Sequence, residues 1–161
     1  MAEKGHEFLA RIGKTRLRPG GIEATSWILE KAGIKADSKV LACNMGTTLV
    51  HIARKYGCDI IGVDLDKAAL EKAEKKIKDN GLEDKVKVME ADAFKLPFED
   101  ESFDVVVNEA MLTMLLGDKK ERALKEYYRV LKPGGVVVTQ DVVLNTDNPD
   151  RARELRIGLS R

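Results

Sequence analysis

Apolar positions along the chain switch repeatedly between two rhythms. In residues 22–32, "IEATSWILEKA", Ile22, Trp27, Ile28 and Leu29 recur at helical spacing, and Gly33 follows as a stop. "KVLAC" (39–43) is a short run of strand type. The helical rhythm returns in "TLVHIARKY" (48–56), with Leu49, Ile52, Ala53 and Tyr56 on one side. "DIIGVD" (59–64) is again a strand. Residues 66–80 carry the clearest helical stripe: Ala69, Leu70, Ala73 and Ile77, with Asp66 as N-cap and Gly81 as the stop. "KVKVME" (85–90) and "FDVVVNEA" (103–110) are predicted strands, 119–131 a helix ended by "KPGG", and "VVVTQD" (136–141) a fifth strand. Asn148-Pro149 then opens a last polar helix, with proline at its first position.

Strand, helix, strand, helix in this order predicts parallel strands joined by right-handed crossovers. The strands are nearly continuous apolar runs, as expected when helices cover both faces of the sheet. The fold class is therefore α/β: a doubly wound, mostly parallel, Rossmann-like sheet flanked by helices. It is read as a single domain over 1–161, with an N-terminal helical cap (1–33), a core (38–141) and a C-terminal helical tail (142–161). After Asp141, "LNTDNPDRARELRIGLSR" has no strand pattern, so no antiparallel C-terminal hairpin is predicted. Strand five then stands as an exposed apolar edge, which soluble proteins cover or pair. A second copy of the chain or the C-terminal tail is the expected cover; alternatively, the chain is a piece of a longer protein.

Composition narrows the function classes. The chain is 43% apolar and 34% charged, within the range of globular proteins. With 28 basic against 27 acidic residues, no basic excess argues for a nucleic-acid surface. No apolar run is long enough for a membrane helix, and "MAEKGHEFLARIGKTRLRPGG" does not read as a signal peptide. Cys43 and Cys58 lie in apolar surroundings and are expected to be reduced and buried, without a metal. The expected location is cytoplasmic.

In doubly wound sheets ligands bind outside the carboxyl ends of the strands. Here strand one is followed by "NMGTT", strand two ends on Asp64, strand three leads to "EADAF" with Asp92, and strand four ends on Asn108-Glu109. An acid at the end of strand two suits a ribose diol, because one carboxylate accepts from both hydroxyls. A dinucleotide also needs a pyrophosphate cradle of the GxGxxG kind, and only Gly46 stands where that pattern needs three glycines. Asp92 would repel a phosphate and accept from an adenine amino group. The edge therefore fits an adenosine without phosphates, as in S-adenosylmethionine (SAM), and disfavours an NAD-type oxidoreductase.

With these residues in place the sequence resembles the class I SAM-dependent methyltransferases, in the branch that acts on small molecules. Four blocks within 38–141 carry the likeness: "KVLACNMGTTLVHIA", "DIIGVDLDKAALEKA", "VKVMEADAFKLPFEDESFDVVVNEAML" and "RVLKPGGVVVTQD". The resemblance implies SAM as cofactor, S-adenosylhomocysteine (SAH) as product and a small-molecule methyl acceptor. It implies a cofactor set of Arg18, Cys43, Asn44, Gly46, Asp64, Leu65, Asp92, Ala93 and Asn108. In that set Gly46 admits the methionine part and Arg18 takes its carboxylate. Asp64 binds the ribose, Leu65 packs on the adenine, Asp92 and Ala93 meet the adenine amino group, and Asn108 lines the pocket. Glu109, which follows a strand end, is the candidate for acid–base or acceptor contact, with a structural or solvated role as the alternative.

Two departures from the family pattern stand out. Ala42 replaces a usual acid, and Asn44 and Thr48 replace usual glycines. Asn tolerates positive φ, whereas a β-branched Thr resists it and crowds close helix–strand packing. The expected consequence is a retuned hold on the methionine end. The same departures motivate a second reading, a non-catalytic binding or partner subunit. His51 is expected to take a packing or surface role, and Phe94, Phe98 and Phe103 to pack in the core and loop. His6, Arg11, Lys14 and Arg16 are expected on a charged N-terminal helix or lid.

Overall fold

The computed structural model of the chain describes residues 20–43, 48–115 and 117–141. The predicted N-terminal lid residues and C-terminal tail lie outside them. In chain order the elements are α1 (Gly21–Lys31), β1 (Lys39–Cys43), α2 (Thr48–Tyr56), β2 (Asp59–Asp64), α3 (Lys67–Lys78), β3 (Val86–Glu90), β4 (Phe103–Glu109), a 3-10 turn (Leu112–Met114), α4 (Lys119–Val130) and β5 (Leu131–Gln140).

The five strands form one sheet in the order β3-β2-β1-β4-β5. All four pairings are parallel, as the alternation predicts. Strand alternation splits the core into two layers. Val40, Ala42, Val105 and Val107 face α1, α2 and α3 through Leu29, Ile52 and Ile77. Leu41, Cys43 and Val106 face α4 through Ala123, Tyr127 and Val130. Burying each such aliphatic side chain stabilises the fold by about 1.5–3 kcal/mol.

Local chemistry sets the ends of the helices. Asp66 Oδ1 accepts from Ala68 N at 2.9 Å, an N-cap of the expected kind. Gly33 follows α1 with φ +65°. Two expectations shift. Gly81 has φ +62° but stands two residues beyond the C-cap Asp79 of α3. β5 begins at Leu131 rather than at Val136, because "KPGG" is taken up within the strand as an irregularity. Phe103 pairs with Leu131 and Val105 with Val136, so extra residues bulge from β5 there. Gly135 is required at that point, since a Cβ would lie 2.9 Å from Lys132 O and 3.0 Å from Asp104 O.

Close helix-to-strand approach occurs at Gly62, where a Cβ would lie 2.8 Å from Leu49 Cδ1 and 3.0 Å from Val88 Cγ1. The bare backbone of β2 lets α2 settle onto the sheet. No described helix is long and apolar enough to cross a membrane.

Candidate functional site

β1 leads outward to β2 and β3 on one side, while β4 and β5 extend the sheet on the other. The switch point therefore lies between β1 and β4, with Cys43 in register with Asn108. The candidate residues lie along this carboxyl edge. Arg18, Asn44 and Gly46 fall outside the described residues.

On the β2–β3 side the acids are held by the turns that follow their strands. Asp64 Oδ1 accepts from Asp66 N at 2.9 Å, a turn that steadies the carboxyl group at the mouth of β2. Leu65 beside it is 61% exposed, an apolar side chain projecting where a flat ring could lie against it. Ala91 N donates to Asp64 O at 3.2 Å, tying the exit of β3 to the end of β2. Asp92 Oδ1 accepts from Phe94 N at 2.9 Å, and Lys95 N donates to Asp92 O at 2.9 Å. Asp64, Asp92 and Ala93 are all half-buried. The structure thus brings both acids to neighbouring strand ends, with an exposed leucine between them in the chain.

The loop carrying Asp92 is secured from α4. Arg129 Nη2 donates to Leu96 O at 3.0 Å, and Nη1 donates to Phe98 O and Asp100 Oδ1, each at 2.8 Å. Glu126 Oε2 accepts from Leu96 N and from Arg129 Nη2, each at 2.8 Å. Arg129 accordingly holds the Glu126 carboxyl below the usual carboxylate range, ahead of the opposing effect of burial. Phe98 and Phe103 pack edge to face, centroids 4.9 Å apart, and Phe94 lies under the Arg122 guanidinium at 5.1 Å. These aromatic rings hold the loop to the core.

On the β1–β4–β5 side the polar groups are enclosed. Cys43 is free and buried, and burial pushes its thiol up to about 12, with Tyr127 pulling the other way. A thiol so placed stays protonated and is a poor nucleophile at neutral pH. Asn108 is fully buried. Its Nδ2 donates to Thr139 Oγ1 at 3.1 Å, and its Oδ1 accepts from Tyr127 Oη at 3.4 Å. Its amide is thus an internal tie between β4, β5 and α4 rather than an open pocket wall.

Among the described residues Glu109 is the one buried acid, 5% exposed. Thr48 Oγ1 donates to its Oε2 at 3.1 Å, and Thr25 Oγ1 lies 3.0 Å from its Oε1. Thr48 itself opens α2 and is buried; positive φ is not needed at this position, contrary to the expectation from the family pattern. Positive φ falls instead on Ala110 (φ +52°), which turns the chain off β4 while its N–H donates to Gln140 O at 2.7 Å. Met111, Leu112 and Leu115 follow half-buried and Met114 is 65% exposed. Asp141 Oδ1 holds this segment by accepting from Thr113 N at 3.0 Å and from Thr113 Oγ1 at 2.8 Å.

Sequence reasoning missed Thr25, Gln140, Gly62 and Arg129. Thr25 had a signal, a hydroxyl three and four residues before Ile28 and Leu29 on the buried stripe of α1. Among the described residues no group of three or more His, Cys, Asp or Glu gathers as a metal site.

An open parallel sheet with this strand order, flanked by helices, defines a doubly wound α/β domain. Comparison with known proteins places it further. Residues 40–139 match the methyltransferase domain family, and the chain belongs to that family. It is 59% identical over 144 residues to an uncharacterised protein of Haemophilus influenzae, across 88% of this chain and 57% of that protein. It is 33% identical over 130 residues to methyltransferase GfsG of Streptomyces halstedii, across 80% of this chain and 46% of GfsG. The chain thus spans about half the length of these relatives. The crystal structure of MccD protein superposes with TM-score 0.75 at 23% identity, covering 84% of this chain and 60% of MccD. Geranyl diphosphate C-methyltransferase from Streptomyces coelicolor, solved with SAH, gives 0.67 at 20% identity over 74% of this chain and 44% of that enzyme. Both structural likenesses show the shared fold.

Proposed function

We propose that the chain is the cofactor-binding domain of a SAM-dependent methyltransferase acting on a small molecule. The observation that carries the reading is the pair Asp64 and Asp92. Both are held at adjacent strand ends by backbone amides, next to the exposed Leu65, in a chain of the methyltransferase family. Asp64 would accept from the ribose hydroxyls, Asp92 and Ala93 would meet the adenine amino group, and Leu65 would cover the adenine face. These residue types fit an adenosine and offer no cradle for a pyrophosphate. Arg18, Asn44 and Gly46 are assigned to the methionine end from sequence.

Bound SAM supplies an activated methyl group on a sulfonium, whose neutral thioether is a good leaving group. The chain's own work is then to hold donor and acceptor in line and dry, which supplies much of the acceleration. A proton acceptor is needed only where the methylated atom must lose a proton. The segment Met111–Leu115, at the switch point and rich in exposed or half-buried apolar side chains, supports an apolar acceptor. Methionines there suit an adaptable contact.

Calorimetric titration tests the reading. SAM and SAH are expected to bind and NAD is not, and Asp64→Ala is expected to weaken SAM and SAH about a hundredfold. Absence of SAM and SAH binding by the wild-type chain would refute the proposal and favour a non-catalytic subunit.

A further inference from the structure

Glu109 is surrounded by contacts that tie three elements together. Its Oε2 accepts from Thr48, the first residue of α2, and its Oε1 lies 3.0 Å from Thr25 in the middle of α1. Thr25 Oγ1 is also 2.8 Å from Gln140 Oε1 and 3.1 Å from Gly21 O. A hydroxyl has one proton, so it cannot donate to all three. Turning the Gln140 amide over lets its NH2 donate to Thr25, which frees the threonine proton for Glu109. β4, α1, α2 and the end of β5 then meet in one hydrogen-bonded cluster. All four side chains in it are buried, none more than 7% exposed.

A general base must reach the proton it removes. The Glu109 oxygens instead point at two hydroxyls inside the protein. The geometry points to Glu109 as a positioning residue. Its carboxyl group fastens Thr48 and Thr25 to the end of β4 and so fixes where α2 begins at the switch point. This inference rests on the methyltransferase reading for its effect on ligand, because the start of α2 borders the methionine end assigned there. It also accounts for Thr48, whose hydroxyl has a purpose at a position where the family pattern has glycine. The ties to Thr48 and Thr25 need hydrogen-bond acceptors at two places rather than a negative charge.

That distinction makes the test. In Glu109→Gln, threonine hydroxyls can donate to the amide oxygen and accept from the amide nitrogen, so both ties survive. In Glu109→Ala both are lost, and two hydroxyls stay buried without that partner. Thr48→Val removes one hydroxyl at constant shape, while Thr48→Ser keeps it. The probes are SAH and 5′-methylthioadenosine, which lacks the amino-acid end. E109A and T48V are expected to weaken SAH by about tenfold. The same variants are expected to leave 5′-methylthioadenosine within about threefold, and E109Q and T48S to stay within about threefold for both ligands. Amide exchange over Thr48–His51 is expected to quicken in E109A and T48V and to stay near wild type in E109Q and T48S.

Loss of SAH affinity in E109Q equal to that in E109A would overturn the inference, because the charge would then carry the effect. Equal loss of both ligands would overturn it as well, by pointing to general destabilisation. If the wild-type chain binds neither ligand, the methyltransferase reading fails by itself. The exchange pattern then decides the tie independently, and unchanged exchange in E109A overturns it.

Discussion

Asp64 and Glu109 are both acids at the end of a parallel strand, two strands apart in one sheet. Asp64 takes its hydrogen bond from an amide two residues further on and stays half-buried at the mouth of β2. Glu109 takes its contacts from hydroxyls 61 and 84 residues away and is 5% exposed. One carboxyl is presented outward by its own turn, and the other is folded into the core by distant elements. A strand-end acid therefore does not define its role by position alone. The range of its hydrogen bonds tells presentation from construction.

Substitutions can break or sharpen this contrast. The largest effect is expected from Asp64→Ala, which removes the acceptor proposed for two ribose hydroxyls. SAH affinity should fall about a hundredfold by calorimetry, while the melting temperature should move little. A large drop in melting temperature would put Asp64 on the construction side with Glu109. Next comes Arg129→Ala, which leaves the Leu96 and Phe98 carbonyls without their guanidinium donor. Denaturant unfolding should show a loss of about 2–3 kcal/mol, making the Asp92 loop a presented feature with a built support. Gly62→Ala forces Leu49 and Val88 aside and should cost about 1–3 kcal/mol in the same assay. Asp92→Asn keeps an oxygen for Phe94 N and should weaken SAH only a few-fold.

The smallest effect near neutral pH concerns Cys43. Burial raises its folded value to about 12, from an ordinary 9.0. Below that ordinary value the thiol is protonated in both states and the contribution is fully present. As pH rises the unfolded chain loses the proton first, so stability falls progressively between about 9 and about 12. At pH 8 the folded protein should react slowly with a thiol reagent at Cys43 and at Cys58, whose thiol burial also raises, and quickly once unfolded. Rapid labelling of the native chain would contradict the enclosed side of the contrast.

What could be read in the sequence follows the same division. The strands, the Asp66 cap, and the acids Asp64 and Asp92 all depend on neighbours a few residues away, so periodicity and turn chemistry reveal them. The start of β5 was misplaced because a Lys-Pro-Gly-Gly run signals a turn locally, whereas pairing with β4 keeps the strand going through a bulge. Thr48 reads as an obstacle in one dimension and as a donor to Glu109 in three. Asn108 reads as a pocket residue until Thr139 and Tyr127 close around its amide. Gly62, in the middle of "DIIGVD", was legible in principle, since an interior strand glycine marks a close approach.

The sheet order also fixes when the two sides can come into being. β1, β2 and β3 are neighbours in sequence as well as in space, each joined by one helix. β4 must instead find β1 across a long stretch of chain. Lys39 N, at the foot of β1, donates to Asp104 Oδ2 from 65 residues away. Closing that loop carries an entropic cost that local crossovers avoid, and such distant pairings slow folding. The β1–β2–β3 half can thus begin to take shape before β4 arrives, while the Asp92 loop waits for Arg129 and Glu126 of α4. The half containing Glu109 exists only after β4 arrives, so substitutions there should slow the last step of folding more than the first.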